Sequence, residues 1–167
     1  DINTINKALI KPEENIVIGA SLGFQFFKLV HLKANAAASA ITSNQESNSD
    51  FIKDSTNSFL LKAQENFTVN LSSKLQFAGD AGLFLKWKKY GIGAEYKRVD
   101  PLYKSLGTYY FQEDYENITL KLYFNLLQNK IRFNGSGGIQ KNNLNNLRAE
   151  TRRRRIINAT LTVMPTS

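Results

Sequence analysis

The sequence predicts an all-β fold: an antiparallel up-and-down transmembrane β-barrel, of which this chain supplies about seven strands of a larger barrel. Three features point there. Apolar and polar residues alternate strictly over several stretches. The connections between the stretches are alternately short and long. The long connections are polar and longer than compact soluble domains usually hold.

Alternation comes first because successive side chains of a strand point to opposite sides. Strands are expected near 15–26, 30–41, 67–86, 91–99, 116–126, 131–141 and 155–164. In the first, Ile16, Ile18, Ala20, Leu22 and Phe24 share a face, opposite Asn15, Ser21 and Gln25. In the second, Val30, Leu32, Ala34, Ala36, Ala38 and Ala40 stand opposite His31, Lys33, Asn35 and Ser39. From Phe67 to Trp87 the apolar side includes Leu83 and Leu85, and the polar side includes Asn70, Lys74, Asp80 and Lys86. The next segment is weaker, with Ile92, Ala94 and Tyr96 on its apolar side. Then come Ile118, Leu120, Leu122, Phe124 and Leu126; Ile131, Phe133, Gly135, Gly137 and Ile139; and Ile157, Ala159, Leu161 and Val163. A helix would need apolar spacings of three and four.

Loop order places these strands. The breaks near Lys28, at Trp87 to Tyr90 and at Leu127 to Lys130 are short. Those between them are long, at 42–66, 100–115 and 142–154. Outer-membrane barrels have short periplasmic turns on one rim and long extracellular loops on the other. Soluble sandwiches have no reason to keep that order. Backbone left unpaired in hydrocarbon costs several kcal/mol per group, so the polar loops belong in water.

About 9–11 residues cross a bilayer when tilted. The segment 67–86 is about twice that, and is read as a strand projecting beyond the membrane. A kink near Ser72-Ser73 dividing it is the alternative. Bacterial single-chain barrels have an even number of strands, at least about eight. An open sheet would expose an unpaired edge to lipid. Residues 1–167 are therefore read as a single region of an outer-membrane barrel, completed by further parts of the same chain or by other subunits. The closing Val163-Met164-Pro165-Thr166-Ser167 reads as the start of a periplasmic turn.

Composition excludes several chemistries. There is no Cys, so disulfide frameworks and thiolate zinc sites are ruled out. The single histidine, His31, cannot build a His-rich metal site. No apolar run reaches the roughly 18 residues of a transmembrane helix, and no signal peptide is visible. The net charge of +8 permits a polyanion partner without selecting one.

The expected lipid-facing residues are Ile16, Ile18, Leu22, Phe24, Val30, Leu32, Leu83, Leu85, Ile118, Leu120, Leu122, Phe124, Ile131, Phe133, Leu161 and Val163. Trp87 and Tyr90 flank a short turn, where amphipathic rings favour headgroup level. Arg152, Arg153, Arg154 and Arg155 lie at the extracellular end of the last strand, where guanidinium groups suit lipopolysaccharide phosphates. Asn-x-Ser/Thr triplets start at Asn66, Asn70, Asn117, Asn134 and Asn158. Residues two apart on a strand share a face, so these triplets mark a hydrated face before they mark glycosylation. Glu113, Asp114 and Glu116 are read as a solvated acidic loop. No nucleophile motif, phosphate-cradling loop or metal-ligand spacing occurs, so neither an enzyme nor a cofactor is expected.

The stretch YKRVDPLYKSLGTYYFQEDYENITL at Tyr96 to Leu120 resembles large, mostly uncharacterised outer-membrane barrel proteins of Bacteroidota. KPEENIVIGASLGF at Lys11 to Phe24, AAASAITSN at Ala36 to Asn44 and GGIQKNNLNN at Gly137 to Asn146 are similar in the same way. The resemblance implies a barrel forming the carboxy-terminal part of a longer exported chain. It carries no catalytic or binding residue.

The expected function is that of an integral outer-membrane protein, a structural, scaffold or transport component of a surface assembly. Its expected partners are membrane lipid, lipopolysaccharide and other protein, not nucleic acid. A soluble lipocalin-like binding module is the alternative, with the apolar faces turned inward. A nucleic-acid-binding β domain comes third, resting on the charge and the Arg run.

Overall fold

The computed structural model describes residues 11–45, 67–106, 112–128 and 130–164. Within them lie seven strands: β1 (Glu14–Phe26), β2 (Val30–Thr42), β3 (Ser73–Lys86), β4 (Tyr90–Val99), β5 (Tyr115–Leu126), β6 (Ile131–Asn142) and β7 (Arg153–Val163). They make one sheet in chain order, from β1 to β7. The pairs from β3 to β7 are antiparallel throughout their registers. No helix occurs among the described residues. The all-β antiparallel architecture is thus as the alternation predicts.

The third strand is where sequence and structure part. It begins at Ser73, not at residue 67, at the place where the alternative reading put a division. The reason is local. The Asn70 carboxamide oxygen accepts the Ser72 backbone N–H at 2.8 Å and the Ser72 hydroxyl at 2.6 Å. The Ser73 N–H then bonds back to the Asn70 carbonyl at 2.9 Å. Asn and Ser side chains that bond nearby backbone favour a turn over a ladder. Alternation continues through Phe67 to Ser72, but the chain turns.

The chain divides into two compact units. In the described part of the first, residues 11–18, 38–45, 67–76 and 104–106, Ala40 and Phe67 form a small buried core against Ile16, Val69 and Leu75. Ile16, expected among the lipid-facing residues, is therefore half-covered by protein. Polar groups close this unit. Thr42 shares hydrogen bonds with the Thr68 carbonyl and the Ser73 hydroxyl at 2.5 and 2.7 Å. The Asn15 carboxamide donates to Ser39 and to the Ala40 carbonyl at 2.8 and 3.0 Å. Glu14 accepts the Thr68 N–H at 2.9 Å. The second unit spans residues 19–37, 77–103 and 112–167 and carries most of the sheet.

Connections keep the expected order. Residues 27–29, 87–89 and 127–130 make short links, and 43–72, 100–114 and 143–152 make long ones. Because the strands run up and down in order, all short turns fall at one end of the sheet and all long loops at the other. The expected loop 42–66 lies outside the described residues from 46 onward.

The short turns have an unusual composition. Phe27 and Lys28 both have positive φ, 49° and 55°, and the Leu29 N–H bonds the Phe26 carbonyl at 3.0 Å. Two left-handed residues match the twist of a hairpin, but Asn-Gly is the pair that adopts them without steric cost. Each L-residue there costs about 1–2 kcal/mol. Replacing Phe27 and Lys28 by Asn and Gly is expected to stabilise the protein by about 1 kcal/mol, after the entropy cost of Gly. A chemical unfolding midpoint measures it. A lower midpoint would mean that the Phe27 ring, 98% exposed here, contributes contacts of its own.

Candidate membrane-facing surface

Register turns the sequence alternation into rows across β3 to β7. On one face the rows are, from the loop end, Ala81-Tyr96-Ile118-Ile139-Arg155, Leu83-Ala94-Leu120-Gly137-Ile157 and Leu85-Ile92-Leu122-Gly135-Ala159. Next comes Tyr90-Phe124-Phe133-Leu161, and then Leu126-Ile131-Val163. Below the first row, no charged residue occurs on this face of β3 to β7. From Ile118 to Leu126 the band measures about 27 Å along the strand, at about 3.4 Å per residue.

Both ends of the band change chemistry. Beyond its loop end the next row is Gly79-Arg98-Glu116-Lys141-Arg153. At its turn end aromatic rings gather. Trp87 and Tyr90 stack with centroids 4.9 Å apart, and Phe124 and Phe133 stack at 4.7 Å. Phe24 and Phe26 stack near the turn of β1 at 6.3 Å.

The opposite face is polar. Its rows include Asp80-Lys97-Asn117-Gln140-Arg154, Phe84-Gly93-Lys121-Ser136-Asn158, Lys86-Gly91-Tyr123-Asn134-Thr160 and Asn125-Arg132-Thr162. Two ion pairs cross its strands. Lys121 binds Glu95 and lies over the Phe84 ring. Asp80 accepts from the Asn35 carboxamide at 2.8 Å, with the Lys33 ammonium 3.9 Å away. A recess of about 880 Å³ opens on this face, lined by His31, Lys121, Tyr123, Asn134, Ser136 and Asn158 among others.

Burial runs opposite to that of a soluble sheet. Along β4, Ile92, Ala94 and Tyr96 are exposed while Gly91 and Gly93 are buried and Glu95 is half-buried. Along β5, Ile118 and Leu120 are exposed, at 57% and 58%, while Asn117 and Thr119 are half-buried. The polar face is crowded by rings lying on glycine. A Cβ at Gly91 would meet the Tyr123 ring at 2.1 Å, and one at Gly93 the Phe84 ring at 2.3 Å. Among the described residues, most large apolar side chains of the other face stand exposed and the rest are half-buried. So large a contiguous exposed apolar surface marks an interaction surface rather than ordinary scatter.

Of the expected lipid-facing residues, Ile18, Leu22, Phe24, Leu32, Leu83, Ile118, Leu120, Leu122, Leu161 and Val163 are exposed. Val30, Leu85, Phe124, Ile131 and Phe133 are half-buried in the same alternation. Asn117, Asn134 and Asn158 take the polar face, as the triplets imply, whereas Asn70 is buried in its turn.

The four-arginine run does not act as one patch. Arg153 and Arg155 stand on the apolar face at its loop edge, Arg154 pairs with Gln140 on the polar face, and Arg152 precedes the strand, 3.8 Å from Glu150. The acidic cluster also separates. Asp114 is buried and holds a loop, while Glu116 stands on the apolar face, accepting the Tyr96 hydroxyl at 3.3 Å. Sequence reading missed Arg98 and Lys141 as companions of Arg153, because only register brings them into one row. No protein-family model matches the chain, and no characterised protein or solved structure does so either.

Proposed function

We propose that this chain forms part of the wall of an integral β-barrel of the bacterial outer membrane, of the kind its sequence resembles in Bacteroidota. The apolar rows meet lipid, the polar rows line the interior, and the long loops face the cell exterior. The role that fits is a scaffold or transport component of a surface assembly, in contact with lipid and lipopolysaccharide. Further strands, from the same chain or another subunit, complete the wall beside β1 and β7.

The observation that supports this reading is the largely exposed apolar band, free of charge below the row that ends in Arg155, between a charged row and an aromatic edge. Tilted by about 40°, its length corresponds to a height of about 20 Å, close to the apolar band of about 25 Å on outer-membrane barrels. Aromatic edges and a polar interior belong to the same pattern. A lipocalin-like module needs the apolar face enclosed, whereas here Ile92, Ala94, Ile118 and Leu120 stand exposed and their polar-face neighbours Gly91, Gly93, Asn117 and Thr119 are buried or half-buried. The nucleic-acid reading loses its patch, since the arginines divide between two faces.

Fractionation tests the proposal. The protein is expected in the outer-membrane fraction, released by detergent, with a band that shifts between boiled and unboiled samples on an SDS gel. A wholly soluble protein with no heat-modifiable band would end the membrane reading.

A further inference from the structure

We propose that the loop edge of the apolar face on β5 to β7 binds one membrane lipid of net negative charge, its phosphate on Lys141, Arg153 and Arg155 and an acyl chain in the notch at Gly137. This deepens the membrane reading above and rests on it.

The notch is a specific void. Gly135 and Gly137 stand on the same face, two residues apart on β6. A Cβ built on Gly135 would lie 2.8 Å from the Phe133 ring, so that gap is already filled. A Cβ on Gly137 would meet nothing within 4 Å. Register sets Leu120 on one side of Gly137 and Ile157 on the other, with Ile118 and Ile139 in the next row. Together these residues line a groove of about 590 Å³ that runs up to Lys141, Arg153 and Arg155. Its walls suit a flexible hydrocarbon chain, and its volume lies within the usual range for small-ligand sites.

The cations give the groove a polar end. Lys141 lies directly opposite Arg153, and Arg155 follows two residues along the same face of β7. Like charges directly opposite destabilise a strand pair. None of the three makes an ion pair among the described residues. The neighbouring carboxylate, Glu116, carries a single negative charge against three positive ones. A phosphate placed there relieves the repulsion and accepts paired N–H groups from guanidinium. Charge at the loop edge and apolar wall toward the turns give the orientation of a bilayer lipid. Arg152 and Arg154 take no part, since they lie off this face.

Native mass spectrometry of the detergent-purified protein is the test, with phosphatidylglycerol, phosphatidylcholine and inorganic phosphate as probes. Wild type should retain phosphatidylglycerol over phosphatidylcholine by on the order of tenfold. The R153Q/R155Q double variant should lose that preference, and Lys141→Gln should weaken it independently. Gly137→Leu, whose new side chain enters open space, should reduce retention of both lipids and leave the preference between them intact. A heat-modifiable band for each variant establishes that it folds. Absence of preference in wild type, its survival in the double variant, or full displacement by equimolar inorganic phosphate would each overturn the lipid site. A protein that enters membranes yet shows no preference fails only this proposal. One that never enters membranes fails the wall reading itself.

Discussion

Replacing Leu122 with Arg is expected to cost about 2–4 kcal/mol in a bilayer, the depth-dependent cost of a cation at the midplane of a lipid-facing strand. Leu122 occupies the central row of the apolar band, midway between Ile118 and Leu126. Leu122 is 45% exposed in the sheet, so lost packing accounts for only a part of such a cost. On a water-facing surface the same change would fall within about 0.5 kcal/mol. Thr119 and Asn125 stand on the polar face of the same strand. Arg at either position should cost much less. Unfolding in lipid vesicles by denaturant measures all three, and equal costs on the two faces would contradict the assignment.

Asp114 should be the most sensitive position among the described long-loop residues. Its side chain is 1% exposed, and it accepts the Leu144 backbone N–H at 2.8 Å. The Arg148 guanidinium nitrogen lies 2.8 Å from its other oxygen, as an ion pair off the N–H axis. Asp114 thus ties the start of β5 to the loop between β6 and β7. That loop is held internally by Asn143, which bonds the Arg148 carbonyl, the Thr151 hydroxyl and the Arg148 N–H at 2.9 to 3.0 Å. Asp114→Ala would strand the Leu144 N–H, at about 1–3 kcal/mol. It would also place Ala at a φ of 58°, which costs about 1 kcal/mol more. A total near 3 kcal/mol is expected, most of it local. Hydrogen exchange at Leu144 and Arg148 should accelerate strongly. Asp114→Asn keeps the acceptor and tolerates left-handed backbone, so it should lose less than half as much. Unchanged exchange in the Ala variant would show that the loop is held by other means.

How much of this was legible beforehand depends on the range of the interaction. The limits of β1, β2 and β4 to β7 follow the alternation to within about two residues, because a strand's two faces are written in its own sequence. Phe67 to Ser72 carries the same alternation and is not strand, because the Asn70 side chain competes for the backbone. That competition is visible only as a polar residue on a polar face. Asp114 read as one of three solvated acids. Its burial depends on Leu144 and Arg148, thirty or more residues away.

Sequence by itself determined that there are strands, which residues share a face, and that short turns gather at one end. Each is a local property, set by side-chain period and by the length of the link. Tertiary structure decided which face is covered and which stands open, and it split the arginine run into two. It also drew Lys141 beside Arg153 above an unfilled notch at Gly137. Those outcomes depend on register between strands, and register is a relation between distant segments that no single stretch of chain contains.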